Sequence, residues 1–313
     1  MKSAFLLIVI LFISVQALFA VKPIHRTGAN THSAGVTLSY NSPQTYTVGT
    51  AIKSLTPASS GVAALAYASP ISLGSGFSLP SGVALDAGGN LYVADAGNNA
   101  VKKIAAGGGS PVAIGSGFNN PNGVAVDAAG NVYVADYGNN AVKKIQSGGG
   151  SPVVLGSGFS HPSGVAVDAK GNVYVADGGN GLVKMIAING GAITSIGSGF
   201  TTPSGVAVDA AGNVYVADVG NSTVKEIPFG GGALVTIGSG FNGPFSVDVS
   251  GGNLYIADAG NNAIKMVPAA GGTPVIIGSG FNSPSGIAAD GQGNVYVADQ
   301  LHNAVKEIKP AQK

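Results

Sequence analysis

Carboxylates recur at fixed positions in this chain. Six of its twelve Asp close nearly identical hexapeptides, of which residues 131–136 are typical. These six are Asp95, Asp136, Asp177, Asp218, Asp258 and Asp299. A ring of carboxylates could hold metal ions, but Asp ahead of a Gly-Asn turn also accepts backbone hydrogen bonds and fixes the turn. Because the Asp recurs in every copy, we predict a structural role, with no metal and no other cofactor bound.

Lysines and aromatic residues recur in step with the Asp. The repeated lysines are Lys102, Lys143, Lys184, Lys225, Lys265 and Lys306. We predict that each pairs with a nearby Asp, and an exposed pair of this kind contributes only about 0–1 kcal/mol. Tyr133 and Phe159 represent two further repeated positions. Large aromatic rings bury much apolar area, so we predict that both pack between repeats.

Five side chains with binding chemistry break the pattern. Tyr137 follows the Asp of the second copy, and His161 precedes the Pro that opens the third unit. Gln300 and His302 follow the last repeated Asp, in the loop that corresponds to that of Tyr137, and Phe245 is predicted to lie in the loop that enters the fifth unit. A Tyr beside a His offers an apolar ring, a hydroxyl and an imidazole, and Tyr is enriched at interface hot spots. We predict that all five lie on a candidate binding face and that Tyr137 and His161 lie side by side there as the principal contacts. The alternative is neutral variation on exposed loops, and no residue is assigned a catalytic role.

The spacing of the hexapeptides predicts the elements that carry these residues. Successive copies end 41, 41, 41, 40 and 41 residues apart, which is typical of a repeat architecture. One unit contains four short β-branched runs separated by Gly-, Asn- and Asp-rich turns. Four-stranded units that repeat radially are propeller blades. The sequence therefore predicts an all-β, six-bladed propeller with four antiparallel strands in each blade.

The two ends of the repeat array are complementary. The last unit stops after Ile308, without a fourth strand, whereas Ser69–Gly74 matches Ser151–Gly156, the fourth strand of an earlier unit. We predict that the N-terminal segment supplies the outer strand of the sixth blade. This pairing would close the ring and remove an unpaired edge.

The fifth unit is one residue short, and two alignments are open. If the first turn is shortened, Asp248 replaces a repeated Ala and Ser250 replaces the usual Asp. If the gap lies upstream, Asp248 keeps the usual Asp position.

The repeat pattern resembles a known family. Gly-Val-Ala-Val-Asp, Gly-Asn-Val-Tyr-Val-Ala-Asp and Asn-Asn-Ala-Val-Lys-Lys-Ile, seen complete in residues 123–145, resemble NHL repeats, and the pattern holds in all six units. The resemblance implies a six-bladed β-propeller, here of a secreted bacterial type. It does not determine the function, since one fold supports many.

Some propellers that resemble this pattern are enzymes. Amidating lyases of the family use several His with basic and Tyr groups, whereas the propeller region here has two His and no Arg. Streptogramin-type lyases use a His and Glu set, but Glu226 and Glu307 lie in third strands beside repeated Lys. A lyase or lactonase-like enzyme with a metal at the channel mouth stays an alternative. We favour a non-catalytic role and leave enzymatic activity open.

The first 68 residues differ from the repeats. Residues 1–20 contain Lys2, an apolar run to Ile13 and small residues at Ala17 and Ala20, the order typical of a secretory signal peptide. Residues 21–68 are predicted to be a leader or stalk. Within them, Tyr46–Pro57 resembles the opening of immunoglobulin-like modules on bacterial surface proteins. The propeller is assigned to residues 69–313.

Composition and predicted export reduce the number of function classes that this protein can belong to. A net charge of +1 with 9% charged residues gives no basic footprint for nucleic acid. The absence of Cys excludes disulfides, thiolate metal sites and a lipid on an N-terminal Cys. We predict a secreted, periplasmic or cell-surface monomer, without a membrane span after signal cleavage, that binds a protein or a glycan. A structural spacer in a surface or matrix protein is the other non-catalytic alternative.

Overall fold

A computed structural model of the chain describes residues 67–188, 191–268 and 271–311. The predicted signal peptide at residues 1–20 lies outside these ranges, as does the predicted stalk at residues 21–68 except for its last two residues. Within the described ranges, no helix has the length and apolar character needed to span a membrane.

The described residues form six antiparallel four-stranded sheets, numbered here as blades 1–6. Blade 1 contains β2 (Pro80–Leu85), β3 (Leu91–Asp95), β4 (Ala100–Ile104) and β5 (Val112–Ile114). Blade 2 contains β6 (Pro121–Val126), β7 (Val132–Asp136), β8 (Ala141–Ile145) and β9 (Val153–Val154). Blade 3 contains β10 (Pro162–Val167), β11 (Val173–Asp177), β12 (Leu182–Ile186) and β13 (Ile193–Gly197).

The second half of the ring repeats this arrangement. Blade 4 contains β14 (Pro203–Val208), β15 (Val214–Asp218), β16 (Thr223–Ile227) and β17 (Val235–Thr236). Blade 5 contains β18 (Pro244–Ser250), β19 (Asn253–Asp258), β20 (Ala263–Pro268) and β21 (Val275–Gly278). Blade 6 contains β22 (Pro284–Ala289), β23 (Val295–Asp299), β24 (Ala304–Ile308) and β1 (Ile71–Leu73).

The first strands of the blades surround a common axis. Each contacts the first strands of both neighbouring blades, and β22 contacts β2, so the ring is closed. The six-bladed propeller predicted from the sequence is confirmed. A three-residue 3₁₀ helix joins the second and third strands of every blade: Ala96–Asn98, Tyr137–Asn139, Gly178–Asn180, Val219–Asn221, Ala259–Asn261 and Gln300–His302.

The core lies between the blades. Every residue of β7 is buried because neighbouring blades cover both faces of this strand. The repeated Tyr and Phe pack there as predicted: Tyr133 and Phe159 belong to one apolar cluster between blades 2 and 3. Burying a large apolar side chain contributes roughly 1.5–3 kcal/mol. Equivalent clusters follow around the ring, so packing between blades is the main source of stability.

The predicted ring closure is present. The pairing of β1 with β24 is antiparallel and aligns Ile71 with Glu307 and Leu73 with Val305. It continues beyond the strand, since the backbone N–H of Ala68 donates to the carbonyl of Lys309 at 2.8 Å. The N-terminal segment therefore completes blade 6.

Strand pairing decides the alignment of the fifth blade. Asp248 pairs with Tyr255, as Ala207 pairs with Tyr215 in blade 4. Ser250 pairs with Asn253 at the end of β18. The missing residue is therefore in the turn between the first and second strands, and Asp248 occupies the position of a repeated Ala.

Candidate binding face and central channel

Each blade contains a buried polar cluster, which blade 2 illustrates. The fully buried Asp136 accepts a 2.8 Å hydrogen bond from the backbone N–H of Asn119 and another of 2.8 Å from Nδ2 of Asn139. Nζ of Lys143 lies 2.6 Å from Oδ2 of the same carboxylate. The ammonium group also lies 5.5 Å from the centroid of the Phe118 ring. The cluster thus ties the 3₁₀ helix and the third strand to the loop that leads into the blade.

The predicted pairing of Lys with Asp is present in all six blades. The Asp side chains are fully buried and the Lys side chains are 11–17% exposed, so these are not the weak exposed pairs considered from the sequence. Breaking a buried ion pair leaves an uncompensated charge and is strongly destabilising. These contacts support a structural role for the repeated Asp.

Five other Asp stabilise the turn between the first and second strands. Oδ1 of Asp127 accepts hydrogen bonds from the backbone N–H groups of Ala129 and Asn131, at 3.0 and 2.9 Å. Oδ2 accepts from Nδ2 of Asn131 and from the Tyr133 hydroxyl. Burial by itself raises the pKa of Asp127, but hydrogen bonds from Asn131, Tyr133 and Ala129 outweigh it and lower the pKa. The other turn residues of this kind are Asp86, Asp168, Asp209 and Asp290.

The 3₁₀ helices and the loops that lead into the first strands lie at the same end of the blades, which we call the 3₁₀ face. They share it because the first two strands of each blade are antiparallel. On this face Asn140, in a left-handed conformation with φ 51°, accepts a 2.7 Å hydrogen bond from the backbone N–H of His161 in the next blade. Such bonds join blades at four other junctions: Asn99 with Asn120, Ser222 with Gly243, Asn262 with Ser283, and Asn303 with Leu79.

Tyr137 and His161 lie side by side on the 3₁₀ face. Their ring centroids are 4.8 Å apart and the ring planes are inclined by 51°. Tyr137 is half-buried, whereas His161 is exposed. At the other junctions these two positions hold Ala96 and Asn120, Gly178 and Thr202, Val219 and Gly243, Ala259 and Ser283, or Gln300 and Leu79. The aromatic pair therefore marks one junction, between blades 2 and 3.

The loop of blade 6 carries Gln300 and His302, as predicted, but the two residues differ in their surroundings. Gln300 is half-buried and holds the repeat position of Tyr137. Nδ1 of His302 lies 2.8 Å from Oδ2 of the buried Asp299, where other blades place the amide of an Asn. Between them, Leu301 replaces a repeated Gly and is 52% exposed, and Leu79 on the same junction is 42% exposed. The junction between blades 6 and 1 therefore presents an apolar surface. His302 stabilises blade 6 through its contact with Asp299.

The predicted location of Phe245 is wrong. Instead of lying in the loop ahead of blade 5, Phe245 is the second residue of β18 and lines the central channel. The first strand of each blade begins at its Pro, a position that tolerates a missing N–H. The residue after the Pro consequently belongs to the channel wall, where four other blades have Ser and one has Asn122.

The central channel has a volume of about 260 Å³ and is lined by the first strands of all six blades. Asp248 is the one ionisable residue in this lining. Its Oδ2 accepts a 2.7 Å hydrogen bond from the backbone N–H of Ala289 in the next blade. The side chain is partly open to the channel but enclosed by protein, and this loss of hydration raises its pKa to about 6. Among the described residues, no group of three or more His, Cys, Asp or Glu is arranged to hold a metal ion.

Restoring the repeat residue at this position should stabilise the protein. The pKa of Asp248 is higher in the folded chain than its ordinary value of 3.8, so the carboxylate costs stability as the pH rises from about 4 to 6. At about 1.4 kcal/mol per pKa unit this shift corresponds to about 3 kcal/mol, and the lost hydrogen bond from Ala289 offsets about 1 kcal/mol of it. Asp248→Ala should therefore raise the free energy of unfolding by about 2 kcal/mol at neutral pH and lower it slightly near pH 4. Urea denaturation at both pH values measures this, and a less stable variant at neutral pH would show that Asp248 supports the fold.

Sequence reasoning missed two features of the site. The Asn140 junction was not predicted, although Asn is one of the few residues that adopts the left-handed conformation readily. The channel position of Asp248 was undecided because the gap in the fifth unit could be placed on either side of it. Strand pairing supplies the missing information, since Asp248 and Tyr255 are opposite one another.

Comparison with known proteins agrees with this architecture. The NHL repeat family matches residues 77–104, 118–145, 159–184 and 200–227, which fall on blades 1–4. No curated protein matches the chain.

Solved structures share the fold at low sequence identity. A chain of a nidogen/laminin complex is 23% identical, with a TM-score of 0.57, over 61% of this chain and 76% of that chain. A streptogramin B lyase is 12% identical, with a TM-score of 0.60, over 77% and 97%. Virginiamycin B lyase from Staphylococcus aureus is 13% identical, with a TM-score of 0.59, over 77% and 98%. This chain is therefore a six-bladed β-propeller in which blades 1–4 match the NHL repeat.

Proposed function

We propose that this propeller is a non-catalytic binding module of the cell envelope that holds a protein ligand on its 3₁₀ face. The observation that carries the proposal is the contact between Tyr137 and His161 at 4.8 Å. The location, secreted, periplasmic or on the cell surface, rests on the signal-like order of residues 1–20. We propose a monomer, since one closed ring already contains the complete face.

The aromatic pair is held on a rigid support. Tyr137 directly follows the buried Asp136, and the backbone of His161 is hydrogen-bonded to Asn140 of the preceding blade. A side chain that is already fixed loses little conformational entropy on binding. The exposed imidazole and the phenol ring thus form a pre-organised contact point.

The size of the face favours a protein over a glycan. The exposed Leu79 and Leu301 lie two junctions away from Tyr137 around the same ring. A ligand that contacts both sites must span blades 1 and 2. Protein interfaces bury about 800 Å² on each partner, which suits such a span. A glycan on the aromatic pair alone is the alternative.

The double variant Tyr137→Ala with His161→Ala tests the proposal. It should weaken binding at least tenfold, equivalent to about 1.4 kcal/mol. The melting temperature should change little, because His161 is exposed and the ion pair of the adjacent Asp136 is retained. Quantitative affinity capture from envelope extract and medium of the producing cells measures the binding.

The repeat supplies a matched control. Val219→Ala with Ser283→Ala alters the same two repeat positions at other junctions and should bind as the parent does. Equal capture by parent, control and double variant would contradict the proposed face. Capture that survives protease treatment of the extract and is lost after periodate oxidation would replace the protein ligand with a glycan.

A channel enzyme is the second candidate. The observation that favours it is Asp248, an ionisable group in a central cavity. A general acid or base of this kind needs a partner group, and the rest of the described channel lining offers none that ionises. A binding module therefore explains the geometry better than a channel enzyme does. If the 3₁₀ face captures no ligand, the role of a structural spacer replaces the binding module.

A further inference from the structure

Asp248 breaks the symmetry of the channel wall at a single position. The equivalent residue in the five other blades is Ala, namely Ala84, Ala125, Ala166, Ala207 and Ala288. The other lining residues carry no ionisable side chain. Apart from Asn122 and Phe245, the wall is otherwise formed by small and aliphatic residues and by the free backbone edges of six first strands.

The negative charge of Asp248 has no counter-charge in the described part of the chain. Each repeated Asp at the end of a second strand pairs with a Lys, or with a Lys and a His, but none of the ion pairs there includes Asp248. Its 2.7 Å hydrogen bond comes from the backbone N–H of Ala289, which carries no charge. An enclosed, unpaired charge is unfavourable. A residue that departs from the repeat at a cost in stability is expected at a functional position.

The surroundings determine the kind of ligand that would balance this charge. A single carboxylate matches one positive charge, whereas Ca²⁺ takes six to eight oxygen ligands and usually several carboxylates. A primary ammonium group has three N–H donors. One can be directed to Asp248 and the others to backbone carbonyls on the free edges of the first strands.

Toward the other end of the channel, Phe245 is the one aromatic side chain in a layer of the wall that otherwise holds Asn122 and four Ser. The hydroxyl groups of these Ser donate hydrogen bonds to protein oxygens: Ser81, Ser163, Ser204 and Ser285. Phe245 also lines the cavity, three residues before Asp248 on the same strand. At about 3.3 Å per residue, the two positions are roughly 10 Å apart along β18. We propose that the central channel binds a small organic monocation, with a primary ammonium group at Asp248 and an apolar end toward Phe245. This site is separate from the proposed protein-binding face.

Titration calorimetry on the full chain tests the proposal with phenethylamine, n-butylamine and the neutral 2-phenylethanol. The parent should bind phenethylamine with a Kd of about 1 mM or tighter, and should not bind 2-phenylethanol measurably. Asp248→Asn keeps the size of the side chain and should weaken phenethylamine binding at least tenfold. Asp248→Ala should do the same, and its melting temperature shows whether it is folded.

Two results would overturn the assignment. One is the absence of binding of both amines to the parent at concentrations up to about 10 mM. The other is equal affinity of the parent and Asp248→Asn for phenethylamine. Calcium is titrated in parallel, and calcium binding that requires Asp248 and excludes the amine would replace the ammonium site with a metal site.

Discussion

Asp136→Ala is expected to lower the free energy of unfolding by about 3–5 kcal/mol, the range for breaking a buried ion pair. The carboxylate is fully buried and accepts hydrogen bonds from Asn119 and Asn139 while it pairs with Lys143. Its loss leaves the enclosed ammonium group without a counter-charge and the loop of blade 2 without its anchor. Chemical denaturation of the purified protein measures the change.

Asp127→Ala provides a control in the same blade. This carboxylate is partly exposed and makes hydrogen bonds without an ion pair, so a smaller loss of about 1–2 kcal/mol is expected. If Asp136→Ala unfolds like the parent but no longer binds the ligand, the repeated Asp is a ligand contact and the structural interpretation is wrong.

Deleting residues 69–73 should destabilise the whole ring. The deletion removes β1 and exposes the edge of β24 along its full pairing register. Lost backbone hydrogen bonds contribute about 0.5–1.5 kcal/mol each. Partial burial of Leu73 adds about 1–2 kcal/mol. Ile71 is 51% exposed, so it adds little. The total is a sizeable share of the roughly 5–15 kcal/mol that stabilises a typical domain.

Ser72→Ala is the control for the deletion. Ser72 is exposed in the middle of β1, and the substitution keeps the backbone pairing with Lys306. Calorimetry should show a parental melting temperature for Ser72→Ala and a clearly lower one for the deletion. A deletion variant that melts with the parent would mean that β1 does not close the ring.

The fold was predictable because its information is local and repeated. One 41-residue unit contains strand, turn and strand signals, and six copies leave little freedom in the arrangement. Closure was predictable because the two ends of the array are complementary fragments of one unit. The alignment of the fifth blade was not predictable, because the sequence allows the one-residue gap to lie before or after Asp248. The pairing of Asp248 with Tyr255 shows that it lies after Asp248.

The candidate site was predictable where the repeat relates two loops. Tyr137 and His161 occupy consecutive loops on one face, so their adjacency follows from the architecture. Phe245 was misplaced because β18 begins at Pro244, so that Phe245 belongs to the strand and not to the loop ahead of it. His302 was taken for an unrepeated side chain, although it performs the task of the Asn found in other blades. Such substitution of one hydrogen-bond donor for another is visible only when the acceptor, Asp299, is known.

Site-specific photo-crosslinking tests the proposed binding face most directly. A benzophenone amino acid replaces Tyr137 on the 3₁₀ face or Phe229, which is 68% exposed beyond the opposite end of blade 4. Both substitutions exchange one aromatic residue for another, so they are matched. Irradiation in the presence of envelope extract should give a discrete protein adduct from position 137 and none from position 229. Adducts from position 229 alone, or none from position 137, would contradict the proposal that the 3₁₀ face binds a protein.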